Sequence, residues 1–327
     1  MKQPKVTILI AVYNAENYLR QCLDSLLRQT LADWQAVCVD DASTDGSWSI
    51  LQEYASREDR VEVYRLPQNH GQAHARNVAL AHARGATIGF LDSDDWLADD
   101  CLEQAMQVFE EHPRTDAVLL HTSYYYSADR VEEFPMDAFE VKLGQEAFLD
   151  SLTWKIHGVY IVRTDIHKRY PYDESAHAFS DDNTTRLHYL ASREVRLSTG
   201  TYYYRQHSDS VSHQISVRRF DYLKANESMV QQLKDMHADE NVLDTYENHR
   251  WLNIIDMYLF YYRYRRQLGN DAATKGLAAI RHAHSSINCR RLSHALRWKF
   301  GYMPCRWCLF RLQEELYFTL RRLFRRL

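Results

Sequence analysis

The sequence has no uninterrupted apolar run of the roughly 20 residues that a membrane-crossing helix needs. Its start, Met1-Lys2-Gln3-Pro4-Lys5, also lacks the apolar stretch and cleavage site of an exported chain. Six cysteines, at positions 22, 38, 101, 289, 305 and 308, are scattered without the spacing of a disulfide framework, which predicts a reducing compartment. Only Cys305 and Cys308 lie close together. With no second pair or histidine couple at ligand spacing, they read as two thiols on an amphipathic helix and not as zinc ligands. No Gly-x-Gly-x-x-Gly follows the first strand-like run, which argues against a nicotinamide or flavin Rossmann domain, and no Walker A sequence occurs. No tandem repeat or low-complexity segment stands out.

What the chain does have is a globular composition and an uneven charge. Its 327 residues are 45% hydrophobic, enough for one large domain, or for one domain with a substantial helical appendage. The formal net charge of -4 conceals an asymmetry. Residues 290–327 carry ten Arg or Lys against Glu314 and Glu315, whereas the rest of the chain carries 30 basic and 42 acidic residues. A basic tail on an acidic body predicts an anionic surface as partner, either membrane or nucleic acid.

Along the chain, strand and helix patterns alternate. Val6 to Val12, Trp34 to Val39, Val61 to Leu66 and Thr87 to Leu91 are short β-rich apolar runs. Between them, residues 15–30, a segment carrying Trp48, Ile50, Leu51 and Tyr54, and residues 72–84 show helical spacing. Alternation of this kind predicts a parallel sheet with helices on both faces. Further on, Asp99 to Glu111 reads as a helix, Asp116 to His121 as a strand and Ser123 to Phe139 as a tyrosine-rich irregular or β segment. A short helix near 145–152, a strand at 158–162, a loop through 170–174, a helix from about Phe179 to Ala191 and a strand from Val195 to Arg205 complete the first region. Beyond Ile215 the pattern is helical, with breaks near 238–240, 269–270 and 301–304, so a domain of residues 1–215 is expected to precede a helical region of 216–327.

The strand ends hold the chemistry. Phe90-Leu91 runs straight into Asp92-Ser93-Asp94-Asp95, three carboxylates in four positions. They would repel one another without a divalent cation or a ring of donors, and hard oxygens suit Mg²⁺ or Mn²⁺. A solvated acidic turn is the alternative. In parallel sheets, however, ligands sit beyond the carboxyl ends of the strands, and Asn14, Asp41 and Asp92 to Asp95 all fall there.

The motifs Val6-Thr-Ile-Leu-Ile-Ala-Val-Tyr-Asn14, Val39-Asp-Asp-Ala-Ser-Thr-Asp-Gly-Ser47, Asn69-His-Gly-Gln-Ala-His-Ala-Arg-Asn77 and Phe90-Leu-Asp-Ser-Asp-Asp95, taken together, resemble those of the inverting family 2 glycosyltransferases. The resemblance covers roughly Lys5 to His213 and implies a GT-A fold, an α/β, Rossmann-like, mostly parallel sheet that binds nucleotide sugars. It implies transfer of a sugar from a nucleotide-diphosphate donor, with UDP foremost, to a glycan or lipid-linked acceptor in bacterial cell-surface polysaccharide synthesis. A cation, Mn²⁺ or Mg²⁺, would neutralise the charge that grows on the leaving diphosphate. By the same resemblance Asp94, with Asp92 and His207, holds that cation. Val12, Tyr13, Asn14, Asp41, Arg76, Asp92 and Ser93 bind the nucleotide sugar, Tyr13 offering its face to the base and Asp41 accepting a base N–H. Asp182, or its neighbour Asp181, is the base that deprotonates the acceptor hydroxyl; either aspartate could instead simply cap its helix. The absence of a Gln-x-x-Arg-Trp sequence favours single sugar addition over polymerisation.

From Leu309 onward, leucines at 309, 312, 316, 320, 323 and 327 step by three or four and share one stripe, with Arg311, Arg321, Arg322, Arg325 and Arg326 read as lying opposite. That pattern predicts a helix lying in the plane of an anionic bilayer, hence a cytoplasmic protein peripheral to the inner face of the plasma membrane. The alternatives are a helix packed on the body or on a second copy of the chain. Two rival functions remain: a non-catalytic nucleotide-sugar or glycan binder that keeps the fold, and nucleic-acid binding through the tail, which no sequence motif supports.

Overall fold

Each strand-helix unit read from the first ninety residues forms as a separate pair of elements in the computed structural model, which describes residues 3–176, 181–206, 215–301 and 303–324. In chain order these are β1 (Val6–Val12), α1 (Leu19–Leu27), β2 (Trp34–Asp40), α2 (Ser47–Arg57), β3 (Val61–Arg65), α3 (Gln72–Ala81) and β4 (Thr87–Phe90). The two-residue β5 (Trp96–Leu97), α4 (Cys101–Glu111), β6 (Thr115–Ser127), β7 (Arg130–Glu133), β8 (Val141–Leu143) and α5 (Gly144–Ser151) follow. Then come β9 (Tyr160–Arg163), α6 (Thr164–Arg169), α7 (Asp181–Ala191) and β10 (Glu194–Arg205). The remaining helices are α8 (Asp221–Asp235), α9 (Glu240–Leu268), α10 (Asn270–Ser285), α11 (His294–Phe300) and α12 (Trp307–Leu323).

The chain divides into two compact units: one holds the described residues of 1–174 and 184–210, the other those of 175–183 and 211–327. In the first, the strands form one sheet in the order β3-β2-β1-β4-β9-β6-β10-β5, with β7 on β6 and β8 on β10. The sheet is parallel from β3 to β4, as the alternation predicts, and becomes mixed beyond. Strand β9 inserts antiparallel between β4 and β6, and β10 pairs parallel with β6. Two antiparallel steps restore the direction, so β6 and β10 point the same way as β1, β2 and β4. Their carboxyl ends therefore share one edge.

Both faces of the sheet are covered. Ile8, Ile10 and Val12 of β1 pack with Leu19, Leu23 and Leu26 of α1 and Leu51 and Tyr54 of α2, while Leu9, Val37, Val39 and Ile88 meet Ala75, Ala79 and Leu80 of α3 on the opposite face. That is why β1 and β2 read as continuous apolar runs and not as alternating ones. A third cluster joins Ala117, Leu119, Tyr160, Val162 and Val195 to Ala147 and Tyr189.

The second unit is helical and is organised around α9, whose Trp251, Ile254, Met257, Tyr258 and Tyr261 pack with Phe220 and Leu223, Ile280 and Ala283, and Phe310 and Phe318. Gly276 of α10 permits this approach: a Cβ there would meet the Phe220 ring at 2.3 Å. A buried ion pair, Arg250 Nη1 to Glu247 Oε2 at 2.7 Å, is completed by the Arg250 bond to Ser286 Oγ and by the Asn288 N–H donated to Glu247 Oε1.

The C-terminal helix refines one expectation. The side of α12 opposite the leucines carries Phe310, Glu314 and Phe318, all buried, while Arg311, Arg321 and Arg322 are exposed; Arg325, Arg326 and Leu327 lie outside the described residues. Leu312, Leu316 and Leu323 remain outward, 68%, 59% and 72% exposed, with Leu320 and Phe324. The helix thus packs on its own unit through one apolar face and presents a second. No described helix is long and apolar enough to cross a membrane.

Candidate active site

The site is built at the shared carboxyl edge of the first unit. After β1 the chain turns through Tyr13 and Asn14, and after β2 through Asp41 and Ala42; Asn14 and Ala42 adopt φ of 50° and 61°. These left-handed residues are held by reciprocal bonds. The Asn14 N–H donates to Ser43 Oγ at 3.0 Å, Thr44 N–H donates to Asn14 Oδ1 at 2.8 Å and Asp41 N–H donates to the Val12 carbonyl at 2.8 Å. Val12 is buried beneath the turn, and Tyr13 is left 52% exposed above it, its ring available as a stacking surface.

The two aspartates ending β2 differ. Asp40 is fully buried, with Ser43 N–H donating to one oxygen and Arg65 Nε 3.1 Å from the other, a structural role. Asp41 accepts from the backbone N–H of His70 at 2.8 Å and of Gly71 at 2.7 Å, so its carboxylate anchors the loop that leads into α3. Gly71 has φ of 93°, which favours glycine at that turn.

Helix α3 then delivers two donors to one acceptor. Gln72 Nε2 lies 2.9 Å, and Arg76 Nη2 2.5 Å, from Asp92 Oδ1. Arg76 is only 1% exposed, its guanidinium covering the rings of Phe90 and Tyr172 at 4.4 and 5.2 Å. It is a buried clamp on Asp92 and not an exposed helix charge.

The three carboxylates of the acidic turn also part company. Asp95 is buried, accepting the Tyr202 hydroxyl at 2.7 Å and the Arg205 N–H at 2.7 Å. Burial, reinforced by Asp92 and Asp94, pushes its carboxyl well above the ordinary range. Asp92 and Asp94 stay half-exposed, flanking Ser93. Arg205 fixes the turn from the other side: its Nε donates to the Asp94 carbonyl at 2.8 Å and its Nη2 to Gln21 Oε1 at 2.6 Å, while the guanidinium lies 4.6 Å over Trp96 and 5.0 Å over Tyr18. Tyr202, Arg205 and Gln72 escaped the sequence reading. The signal for the first two is the pairing of β10 with β5, which joins residues more than a hundred positions apart.

Asp181 and Asp182 lie in the first turn of α7, both half-buried, inside the helix and not before it. His207 lies outside the described residues. Among the described residues no group of three or more His, Cys, Asp or Glu could by itself hold a metal. The arrangement nonetheless fits a cation of the Mg²⁺ or Mn²⁺ kind. Such ions are commonly held by one or two carboxylates, with substrate phosphates completing the shell, and Asp92 and Asp94 offer two half-exposed carboxylates on one turn.

Residues 7–164 match the family model described as glycosyl transferase family 2. That region is a family 2 glycosyltransferase domain. Among curated relatives the chain is 28% identical over 263 residues to the putative glycosyltransferase EpsH of Bacillus subtilis, spanning 75% of each chain. It is 34% identical over 163 residues to that organism's putative teichuronic acid biosynthesis glycosyltransferase TuaG, spanning 50% of this chain and 63% of TuaG. Among solved structures, Staphylococcus aureus TarS residues 1–349 in complex with UDP-GlcNAc superposes with a TM-score of 0.67 at 22% identity, covering 88% of this chain and 82% of that one. This likeness establishes a shared GT-A fold. The match to the family model ends before α7, and the acidic turn lies within it.

Proposed function

We propose that this chain catalyses the inverting, metal-dependent transfer of a sugar from a UDP-sugar to a glycan or lipid-linked acceptor in cell-surface polysaccharide synthesis. The observation that carries the reading is the acidic turn after β4. Asp92 is clamped by Arg76 and Gln72, and the Asp94 backbone is pinned by Arg205, on the edge that also presents Tyr13 and Asp41. Tyr13 receives the base on its exposed ring, Asp41 accepts a base N–H, and Val12, Asn14 and Ser93 line the donor. Asp92 and Asp94, with His207, would hold Mn²⁺ or Mg²⁺, which supplies charge neutralisation for the departing diphosphate. Arg76 holds Asp92 in orientation. Asp182, with Asp181 as the alternative, removes the proton from the acceptor hydroxyl. The acceptor oxygen then forms the new bond to the anomeric carbon on the face opposite the bond to the nucleotide, whose electron pair leaves with the diphosphate.

TuaG's teichuronic acid and the UDP-GlcNAc of the TarS complex support a UDP-sugar donor and a cell-envelope acceptor. The outward leucine stripe of α12 supports a peripheral position on an anionic membrane, where a lipid-linked acceptor would lie.

The test is a thermal-shift screen of UDP-sugars with and without Mn²⁺, followed by turnover of the best binder in wild type and Asp182→Asn. A ligand of the site raises the unfolding temperature by mass action, and more so with Mn²⁺. D182N is expected to keep donor binding and lose about 10²- to 10⁴-fold in turnover. Undiminished turnover in D182N removes Asp182 from the chemistry, and no donor-dependent shift in any form overturns the reading.

A further inference from the structure

The helical unit holds a concentration of charge that the sugar-transfer reading does not use. A cleft of about 520 Å³ opens where the end of α9 meets the end of α12, lined by Tyr262, Arg263, Arg265, Arg266, Gln267 and Arg322 among others, with no carboxylate among the described residues of its lining. Its walls are fixed: Arg265 donates to both oxygens of Glu315, at 2.5 and 3.2 Å, and the Tyr262 and Thr319 hydroxyls lie 3.0 Å apart. Arg263, Arg266 and Arg322 make no ion pair or hydrogen bond among the described residues. Three guanidinium groups around one opening repel one another, and each presents a planar fork suited to phosphate oxygens. The outward stripe, Leu316, Leu320, Leu323 and Phe324, belongs to the same helix that supplies Arg322.

We infer that this cleft binds the phosphate of an anionic lipid headgroup while the α12 leucines enter the acyl boundary. The occupant follows from the two chemistries on one helix: a free phosphate would satisfy the arginines and leave the leucines in water, whereas a phospholipid satisfies both. The inference rests on the reading of α12 as bilayer-facing and adds a defined headgroup site to it.

The experiment measures partition of the full chain onto vesicles of phosphatidylcholine alone and of phosphatidylcholine mixed with phosphatidylglycerol. Wild type binds the mixed vesicles far better, and Arg263→Gln/Arg266→Gln lowers that binding roughly thirtyfold. Arg281→Gln/Arg290→Gln removes the same charge from exposed positions elsewhere in the unit and lowers it less than about threefold. All four arginines are exposed, so unchanged unfolding temperatures are expected throughout, and the single variant Arg263→Gln serves where a double variant is unstable. Equal losses in the two double variants, or equal binding of wild type to both vesicle types, overturn the headgroup site. Leu316→Ser/Leu320→Ser/Leu323→Ser separates it from the reading beneath it. Loss of binding in that variant with retention in R263Q/R266Q leaves the bilayer-facing helix standing and overturns the arginine site alone. Retained binding in the leucine variant, or a wild type that ignores vesicles and self-associates through α12, overturns the bilayer reading and this inference with it.

Discussion

The acidic turn after β4 and the arginine cleft at the end of α9 both crowd like charges, and they handle them in opposite ways. In the turn, the protein supplies the partners: Asp92 receives Arg76 and Gln72, and Asp95 receives Tyr202 and Arg205. In the cleft, among the described residues, only Arg265 is tied, to Glu315, and Arg263, Arg266 and Arg322 face the opening without a described counter-ion. Charge that the chain neutralises itself becomes a fixed geometry on which a reaction can depend. Charge left to solvent is a standing demand for an outside anion. The first arrangement yields orientation, and the second yields attraction that salt will weaken.

The comparison breaks most directly at Asp94. Replacing it with Ala removes a half-exposed carboxylate without disturbing the buried clasp at Asp95, and turnover is expected to fall roughly 10³-fold with the unfolding temperature nearly unchanged. Titration of turnover with Mn²⁺ checks it; a variant with wild-type turnover and metal dependence removes Asp94 from the site.

A second test contrasts partnered and solvent-facing arginines within the helical unit. Arg250→Ala leaves Glu247 buried without its cation and should cost about 3–5 kcal/mol. Arg263→Ala should stay within about 0.5 kcal/mol of wild type. Chemical denaturation measures both, and similar costs would erase the distinction drawn here.

At Arg76 the expected effect is smaller and kinetic. Arg76→Lys keeps the charge but cannot reproduce the guanidinium stacked on Phe90 while bonding Asp92, so donor KM should rise about tenfold or more with kcat less affected. A fall in kcat alone would mean that Arg76 serves something other than the orientation of Asp92.

The smallest effect is a pH profile. Glu314 lies on the packed face of α12 beside Phe310 and Phe318, and burial pushes its carboxyl up to about 7 from an ordinary 4.5. A carboxyl raised in the folded state is stabilising below the unfolded value and loses that contribution as pH rises toward the folded one. Thermal stability of the helical unit should therefore decline between about pH 4.5 and 7, and Glu314→Gln should flatten the decline. An identical slope in the variant would assign the decline to other groups.

Much of the fold was legible because its signals are local. The unbroken apolar runs of β1 and β2 and the three- and four-residue spacing of Leu19, Cys22, Leu23 and Leu26 each depend only on near neighbours. Pairing is not local. Nothing in Tyr160–Arg163 marks it as the antiparallel strand between β4 and β6, and the short polar run between that strand and the 170–174 loop does not mark itself as the six-residue helix α6. The candidate site shows the same division. Asp92, Asp94 and Asp95 look alike in sequence, and only burial against Tyr202 distinguishes the third as structural. On α12 the leucine repeat was plain, while the second apolar face, three residues of which one is a glutamate, does not announce itself in a charged tail.

The left-handed pair Asn14 and Ala42 has a further consequence. An alanine held at φ 61° stores about 1–2 kcal/mol of backbone strain, which the interlocked turns must sustain even in the resting molecule. On the proposed reading of Tyr13, the floor beneath its ring is therefore set before any nucleotide arrives, and an incoming base would meet a finished surface. Calorimetry of nucleotide binding should accordingly return a modest heat-capacity change, that of one aromatic ring being covered and not of a loop being folded.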